Sequence, residues 1–237
     1  MYNDSHFYDS FDAQQTDTRM AARRAYFTQT YGLMAAALAV TFAAALIVAR
    51  FFPQIAFSTP VVIGLCVAEL VVVIAFSRSL TRVSSGTALG MFLLYACLTG
   101  VSLSSVFLLF DVSGIFLCFL ATAASFGAMA LYGMRSRKNL AAWGGTLFGA
   151  LIGLLVLMVA SFFLRFPMLD LFICVLGLLV FLGLTAYDTR KLSMMYDQAA
   201  GTELADRYSI YAALQLYLDF INIFLYLIRL LGYANRD

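Results

Sequence analysis

The sequence predicts an all-α membrane protein with seven transmembrane helices. Of its 237 residues, 63% are hydrophobic and only 12% are charged, about half the charged fraction of a soluble globular domain. Seven apolar stretches are each long enough for the roughly 20 residues that a helix needs to cross a bilayer core. Short polar or proline-containing segments separate them. Together these observations leave little room for any class other than a polytopic membrane protein.

The connections between the apolar stretches set the limits of the predicted spans. Pro53 and Pro60 frame the first connection, and Pro167 marks the fifth. Asp111 alone marks the third, which predicts a very tight turn. The predicted spans cover residues 30–52, 59–77, 86–110, 112–134, 141–164, 169–196 and 207–231, within a membrane domain at 26–237. The polar, Asp-rich residues 1–25 are predicted to form a disordered cytoplasmic tail, and they lack the apolar core of a cleavable signal.

The positive charges predict the orientation in the membrane. With seven spans, eleven of the fifteen Lys and Arg residues fall on the side of the N-terminus and four on the other side. Because cytoplasmic loops carry the excess of positive charge, we expect the N-terminus in the cytoplasm and the C-terminus outside. The formal net charge of +2 offers no basic surface for nucleic acid. The four cysteines lie in apolar runs without CxxC spacing, so neither a metal site nor a cofactor is predicted.

Three glycines of the fifth span share one helix face. Gly145, Gly149 and Gly153 follow each other at steps of four residues. Small residues at this spacing let two membrane helices approach closely, so a close-packing surface between helices is expected here.

Three carboxylates within or at the edge of apolar spans are the candidate functional residues: Glu69, Asp188 and Asp219. An ionisable group at membrane depth is costly unless it is paired or hydrated, which favours a functional role. The alternative is a buried carboxylic acid that neighbouring hydroxyl groups satisfy by hydrogen bonds.

Asp188 and Asp219 are expected to meet. They lie at equal distances along the chain from the middle of the polar turn that links spans six and seven. If both helices run antiparallel from that turn, the two side chains lie at similar depths, provided that the sixth helix continues past Lys191. Two carboxylates a few ångströms apart in a low dielectric cannot both ionise cheaply, so one keeps its proton. Such a pair couples proton concentration to the spacing of two helices.

Polar side chains flank Asp219 on one face of the seventh span. Gln215 and Asn222 lie four residues before it and three after it, with Tyr211 and Tyr226 one turn further on each side. We expect Gln215 and Asn222 to support the pair. Tyr95, Thr99 and Ser102 form a similar stripe on the third span, for which hydrogen bonds between helices suffice as an explanation.

Two motifs resemble the Bax inhibitor motif family, in particular its bacterial inner-membrane branch. They are "GLTAYDTRKL" at 183–192 and "LYLDFINIFLYLIRLLG" at 216–232, supported by "YACLTGVSLSS" at 95–105. The resemblance covers nearly everything after residue 25. It implies a fold in which the other helices wrap a central helix. It also implies a di-aspartyl pH sensor and a pH-dependent calcium leak.

Asp188 and Asp219 match the two sensor aspartates of this family. Glu69 resembles an acidic position that some members have on span two. Some members also carry an arginine near the end of that span which holds the aspartates, and Arg78 and Arg82 are the candidates for this role here.

The leading hypothesis for function is therefore a proton-gated cation leak in a bilayer, with calcium as the permeating ion. Oxygen ligands suit hard cations, and three membrane carboxylates without an embedded lysine favour cations over anions. The alternative is a non-conducting membrane scaffold or stress regulator that acts through partner proteins such as a membrane protease. With either function the protein is expected to be a monomer. An intramembrane aspartyl protease is disfavoured because neither aspartate lies in a GxGD motif, so no enzyme is predicted. A retinal protein would need a lysine on span seven, whereas Lys138 and Lys191 lie in or near loops.

Overall fold

Eight α-helices make up most of the described chain in this computed structural model. The structure describes residues 4–79, 82–136, 140–164, 166–199, 202 and 204–235, of which 4–16, 140 and 141 are described by their backbone alone. The helices are α1 (Asp4–Phe51), α2 (Pro53–Ala56), α3 (Thr59–Ser79), α4 (Ser85–Leu109), α5 (Val112–Arg135), α6 (Gly144–Leu164), α7 (Pro167–Ala199) and α8 (Leu204–Ala234). All except α2 contain a stretch long and apolar enough to cross a membrane, and this confirms the prediction of an all-α protein with seven spans.

Local sequence explains where several helices begin. Pro167 is the first residue of α7, where its fixed φ suits a helix and its missing N–H costs no hydrogen bond. The side chain of Ser84 accepts a hydrogen bond from the backbone N–H of Thr87 and caps α4. Only Phe110 and Asp111 separate α4 from α5, so these two helices turn back on each other almost at once.

The N-terminal segment differs from the prediction of a disordered tail over residues 1–25. Helix α1 begins at Asp4 and continues without a break into the first span, while residues 1–3 lie outside the described part of the chain. No glycine or proline occurs between Asp4 and Tyr31, so no residue of this segment interrupts the helix before it enters the membrane. The prediction of disorder relied on the polarity of these residues alone.

Helix α8 is the central helix, as the family resemblance implies. It packs against α1, α4, α5 and α7, and more of its residues are buried than in any other described helix. Tyr217, Ile223 and Phe224 have no exposed surface. Helices α3 and α6 lie at the periphery and pack mainly on α4 and α7, respectively. The acidic Asp219, in the middle of α8, is therefore surrounded by protein, whereas α3 and α6 present apolar side chains outward.

One hydroxyl group ties three helices together. The Thr41 hydroxyl on α1 lies 2.7 Å from the Tyr217 hydroxyl on α8 and 2.9 Å from the carbonyl oxygen of Ala96 on α4. When Thr41 donates its single proton to the Ala96 carbonyl oxygen, its own oxygen accepts the proton of the Tyr217 hydroxyl. Gly100 permits this approach, since a Cβ there would lie 2.5 Å from the backbone oxygen of Thr41.

The predicted packing surface of Gly145, Gly149 and Gly153 is not used within this chain. All three are exposed, and a Cβ built on any of them would meet nothing within 4 Å in the described structure. Helix α6 turns another face toward α7, where Leu154 is 1% exposed. The spacing of small residues is visible in a sequence, but which face meets a neighbour depends on the whole bundle. The prediction was wrong for this reason.

Candidate functional site

Asp219 lies in the protein interior at the middle of the central helix. Its side chain is 3% exposed, the only acidic residue among the buried polar side chains of the described chain. One of its carboxyl oxygens, Oδ2, has no hydrogen-bond partner among the described groups. A carboxyl group that is buried in this way is costly to ionise unless a nearby charge compensates for it.

Asp188 is the neighbouring acid, as the sequence predicts. Helix α7 continues to Ala199 because its last sixteen residues contain neither glycine nor proline, and Asp188 therefore belongs to a regular helix. Along their helices, Asp188 and Asp219 lie about 17 Å and about 22 Å from the turn that joins α7 to α8. The charge of Asp188 acts on Asp219, which places the two acids near each other between α7 and α8.

Lys191 is the residue that the sequence analysis missed. It lies inside α7 and is half-buried, whereas the sequence analysis placed it in or near a loop and gave it no role in the site. Its charge acts on Asp188, three residues earlier on the same helix face. The Lys191 Nζ lies 3.5 Å from the Oε1 of Gln215 and 5.6 Å from the centre of the Tyr211 ring, both on α8. The spacing of three residues from Asp188 could have identified it.

These contacts form a five-residue cluster across the α7–α8 interface. We call it the dyad cluster; it consists of Asp188, Lys191, Tyr211, Gln215 and Asp219. With one acid ionised and the other protonated, the ammonium group makes the cluster neutral. Loss of the second proton leaves one net negative charge, and gain of a proton leaves one net positive charge. The proton concentration thus determines the charge between two packed helices.

The two supporting amides have different roles. Gln215 belongs to the dyad cluster through its contact with Lys191. Asn222 uses its side-chain amide to donate a 2.8 Å hydrogen bond to the carbonyl oxygen of Leu218, one turn back on its own helix. The polar stripe on α8 is therefore real, but only its first part faces the acid on α7.

Neither candidate arginine reaches the aspartates. Phe76, near the end of α3, stacks on Tyr211 with ring centres 6.2 Å apart and planes 5° from parallel. Arg78 is two residues further along and is exposed, as is Arg82. A helix turns by about 100° per residue, so contact through Phe76 directs position 78 away from α8. Lys191 on α7 is the cation beside Asp188 instead.

Glu69 belongs to a separate polar site between α3 and α4. It is half-buried, and its Oε1 accepts a 2.7 Å hydrogen bond from the Ser102 hydroxyl. Its charge acts on Tyr95 of α4 and on Tyr217 of α8. Tyr217 is two residues from Asp219, so the charge of Glu69 acts on the same stretch of α8 that carries Asp219. This hydrogen bond accounts for Ser102 in the polar stripe on the third span, whereas the buried Thr99 hydroxyl has no hydrogen-bond partner in the described structure.

Comparison with known proteins agrees with this architecture. The family model described as "Inhibitor of apoptosis-promoting Bax1" matches residues 23–236. The inner membrane protein YbhL of Escherichia coli strain K12 is 39% identical over 217 residues, which cover 90% of this chain and 93% of YbhL. An uncharacterized protein of Borreliella burgdorferi is 35% identical over 230 residues, or 95% of this chain and 99% of that protein.

A third relative, from Rickettsia prowazekii, is 37% identical over 216 residues and covers 90% of this chain and 91% of its own. The matches extend over all seven spans, so they include both helices of the dyad cluster. The chain is a multi-pass membrane protein that belongs to the Bax inhibitor family.

Proposed function

We propose that this protein is a pH-sensitive cation leak channel, with calcium as the permeating ion and Asp188 and Asp219 as the gate. We further propose that it lies in the cytoplasmic membrane, which the similarity to an inner membrane protein of Escherichia coli supports. The excess of positive charge on the N-terminal side supports a cytoplasmic N-terminus.

The observation that carries this proposal is that Asp219, on the central helix α8, is buried near Asp188 on α7. Asp219 is 3% exposed, and the charge that acts on it belongs to another acid. A structural carboxyl group would be satisfied by hydrogen bonds, whereas Asp219 Oδ2 has none in the described chain. An acid pair of this kind is costly for stability, which favours a role in function.

The dyad cluster can couple protons to helix spacing. When the acids share one proton, they hold α7 and α8 together beside Lys191. When both ionise, repulsion favours separation of the helices or a cation between them. Carboxylate and amide oxygens are the ligands that calcium prefers, and the carboxyl groups and Gln215 supply them at this interface. With Glu69, three membrane carboxylates outnumber the one described lysine, so a cation remains favoured over an anion.

Calcium flux across a pH series tests the proposal. Purified protein in liposomes that contain a calcium indicator should admit calcium at a rate that changes with pH, while protein-free liposomes should show no such change. Chloride flux, measured in parallel, should stay at the protein-free level. A folded protein without calcium flux at any pH would contradict the channel function.

Replacing Lys191 should change the pH at which the leak responds. Without the ammonium group beside it, Asp188 releases its proton less readily, so the flux profile of Lys191→Met should move to higher pH. A change of 1.36 kcal/mol corresponds to one pH unit, and we expect a shift of about one unit or more. The measurement is the midpoint of calcium flux against pH.

Two matched variants control for general effects of this substitution. Lys191→Arg keeps the charge and should leave the midpoint near that of the parent protein. Arg190→Met removes a neighbouring cation of the same helix, and no action of Arg190 on either aspartate is found in the described chain, so it should also leave the midpoint unchanged. An equal shift in Lys191→Met and Arg190→Met would mean that Lys191 has no specific role.

A further inference from the structure

A cavity opens at the end of the bundle where α7 begins and α8 ends, far from the dyad cluster. Its volume is about 640 Å³, within the range of small-molecule binding sites. Helices α6, α7 and α8 form most of its wall. The polar residues that line it include Ser161, Asp170, Arg229 and Tyr233. Nothing in the proposed channel mechanism uses this cavity.

Two opposite charges face the cavity without pairing with each other. The Asp170 carboxyl accepts a hydrogen bond from Ser161 on α6. Arg229 on α8 is exposed and lies beside the buried Cys174 on α7. Within the described chain, the Asp170 carboxyl and the Arg229 guanidinium form no direct ion pair. The cavity therefore offers one anionic and one cationic contact to the same ligand.

The rest of the wall is apolar and continues onto the outer surface of the bundle. Phe110, Met158 and Ile173 line the interior of the cavity. Phe162 lines it as well and is 74% exposed, which places the ring at the opening. Met168, at the start of α7, is 79% exposed. Exposed apolar residues on a membrane helix contact lipid, so the cavity opens toward the acyl chains.

We propose that this cavity binds a zwitterionic phospholipid with a primary ammonium group, as in phosphatidylethanolamine. The ammonium group donates to the Asp170 carboxylate, and the phosphate accepts from Arg229, whose planar fork suits phosphate oxygens. The acyl chains leave past Phe162 into the bilayer. A cavity with both charges and a lipid-facing opening fits this ligand better than a purely anionic or purely cationic lipid.

Thermal unfolding of the full chain in detergent, with single lipids added, tests this proposal. Dioleoyl phosphatidylethanolamine should stabilise the protein at about tenfold lower concentration than the phosphatidylcholine or phosphatidylglycerol analogue, which corresponds to about 1.4 kcal/mol. The choline group has no N–H to donate to Asp170, and the glycerol group has no positive charge. Equal stabilisation by the three lipids would overturn the proposal.

Variants of the two charged residues connect the lipid preference to this cavity. Asp170→Asn and Arg229→Gln should each abolish the preference for phosphatidylethanolamine, whereas Arg50→Gln, which changes an exposed arginine outside the cavity, should keep it. If Arg229→Gln does not fold, Arg229→Lys keeps the positive charge and should retain the preference. The result for Asp170→Asn then decides whether the cavity causes the preference. A preference that survives in Asp170→Asn overturns the proposal.

Glycerophosphoethanolamine lacks acyl chains, and stabilisation by it equal to that by the lipid would also overturn the proposal.

Discussion

Asp219→Asn should remove the pH response of the calcium leak. Asn has nearly the same shape as Asp but cannot ionise, so the pair can no longer share a proton or repel. Asp188 can still ionise, but no second carboxylate then repels it, so α7 and α8 keep one arrangement at every pH. Calcium flux into liposomes should therefore be constant over the pH range in which the flux of the parent protein changes. This is the largest functional effect that we expect from a single substitution.

Asp206→Asn is the matched control for this experiment. Asp206 lies on the same helix as Asp219 but is exposed near its start, away from Asp188. Its replacement should leave the pH profile of the flux unchanged. If Asp219→Asn retains the profile of the parent protein, the two aspartates are not the sensor and their pairing serves another purpose.

Gly133→Ala should strongly destabilise the protein. Gly133 on α5 packs directly on the backbone of Ala186 on α7, and a Cβ at position 133 would overlap the Ala186 carbonyl group. The backbone cannot move aside as a side chain would, so α5 and α7 must separate. We expect a loss of about 1–3 kcal/mol or more, measured as the free energy of unfolding in detergent. Because Ala186 is two residues from Asp188, the dyad cluster should be displaced as well.

Gly127→Ala provides the comparison on the same helix. A Cβ at position 127 would meet nothing within 4 Å, so the substitution adds no steric conflict. Alanine also favours a helix over glycine by about 1 kcal/mol, which predicts an unchanged or slightly higher stability. Equal destabilisation by Gly127→Ala and Gly133→Ala would show that the close contact at Ala186 is not the cause.

The sequence predicted the parts of this structure that depend on composition and local spacing. Apolar length identified the seven spans because a bilayer sets the length of the helices that cross it. Symmetry about one turn predicted that Asp188 meets Asp219, since antiparallel neighbours place residues at equal distances from the turn side by side. Helical spacing placed Gln215 on the face of Asp219.

Other features depend on which helix faces meet, and the sequence did not reveal them. Lys191 was predicted to lie in or near a loop and was given no role in the site, yet the helix continues past it and its long apolar stem can lie along the interface. The regular stripe that includes Gly149 suggested tight packing but faces outward, whereas the isolated Gly133 makes the close contact. Arg78 lies near the end of α3, as expected for an arginine that holds the aspartates, but it faces away from α8.

The length of α1 has a mechanical consequence. Its 48 residues extend over roughly 72 Å, more than twice the thickness of a hydrocarbon core of about 30 Å. The first turns of this rod therefore project well beyond the bilayer into water, while its later part is fastened to α8 by the hydroxyl groups of Thr30 with Ser209 and of Thr41 with Tyr217. A force or a bound molecule that tilts the projecting end therefore tilts the attached part of α1 as well, and the helix transmits torque to α8 at the centre of the bundle.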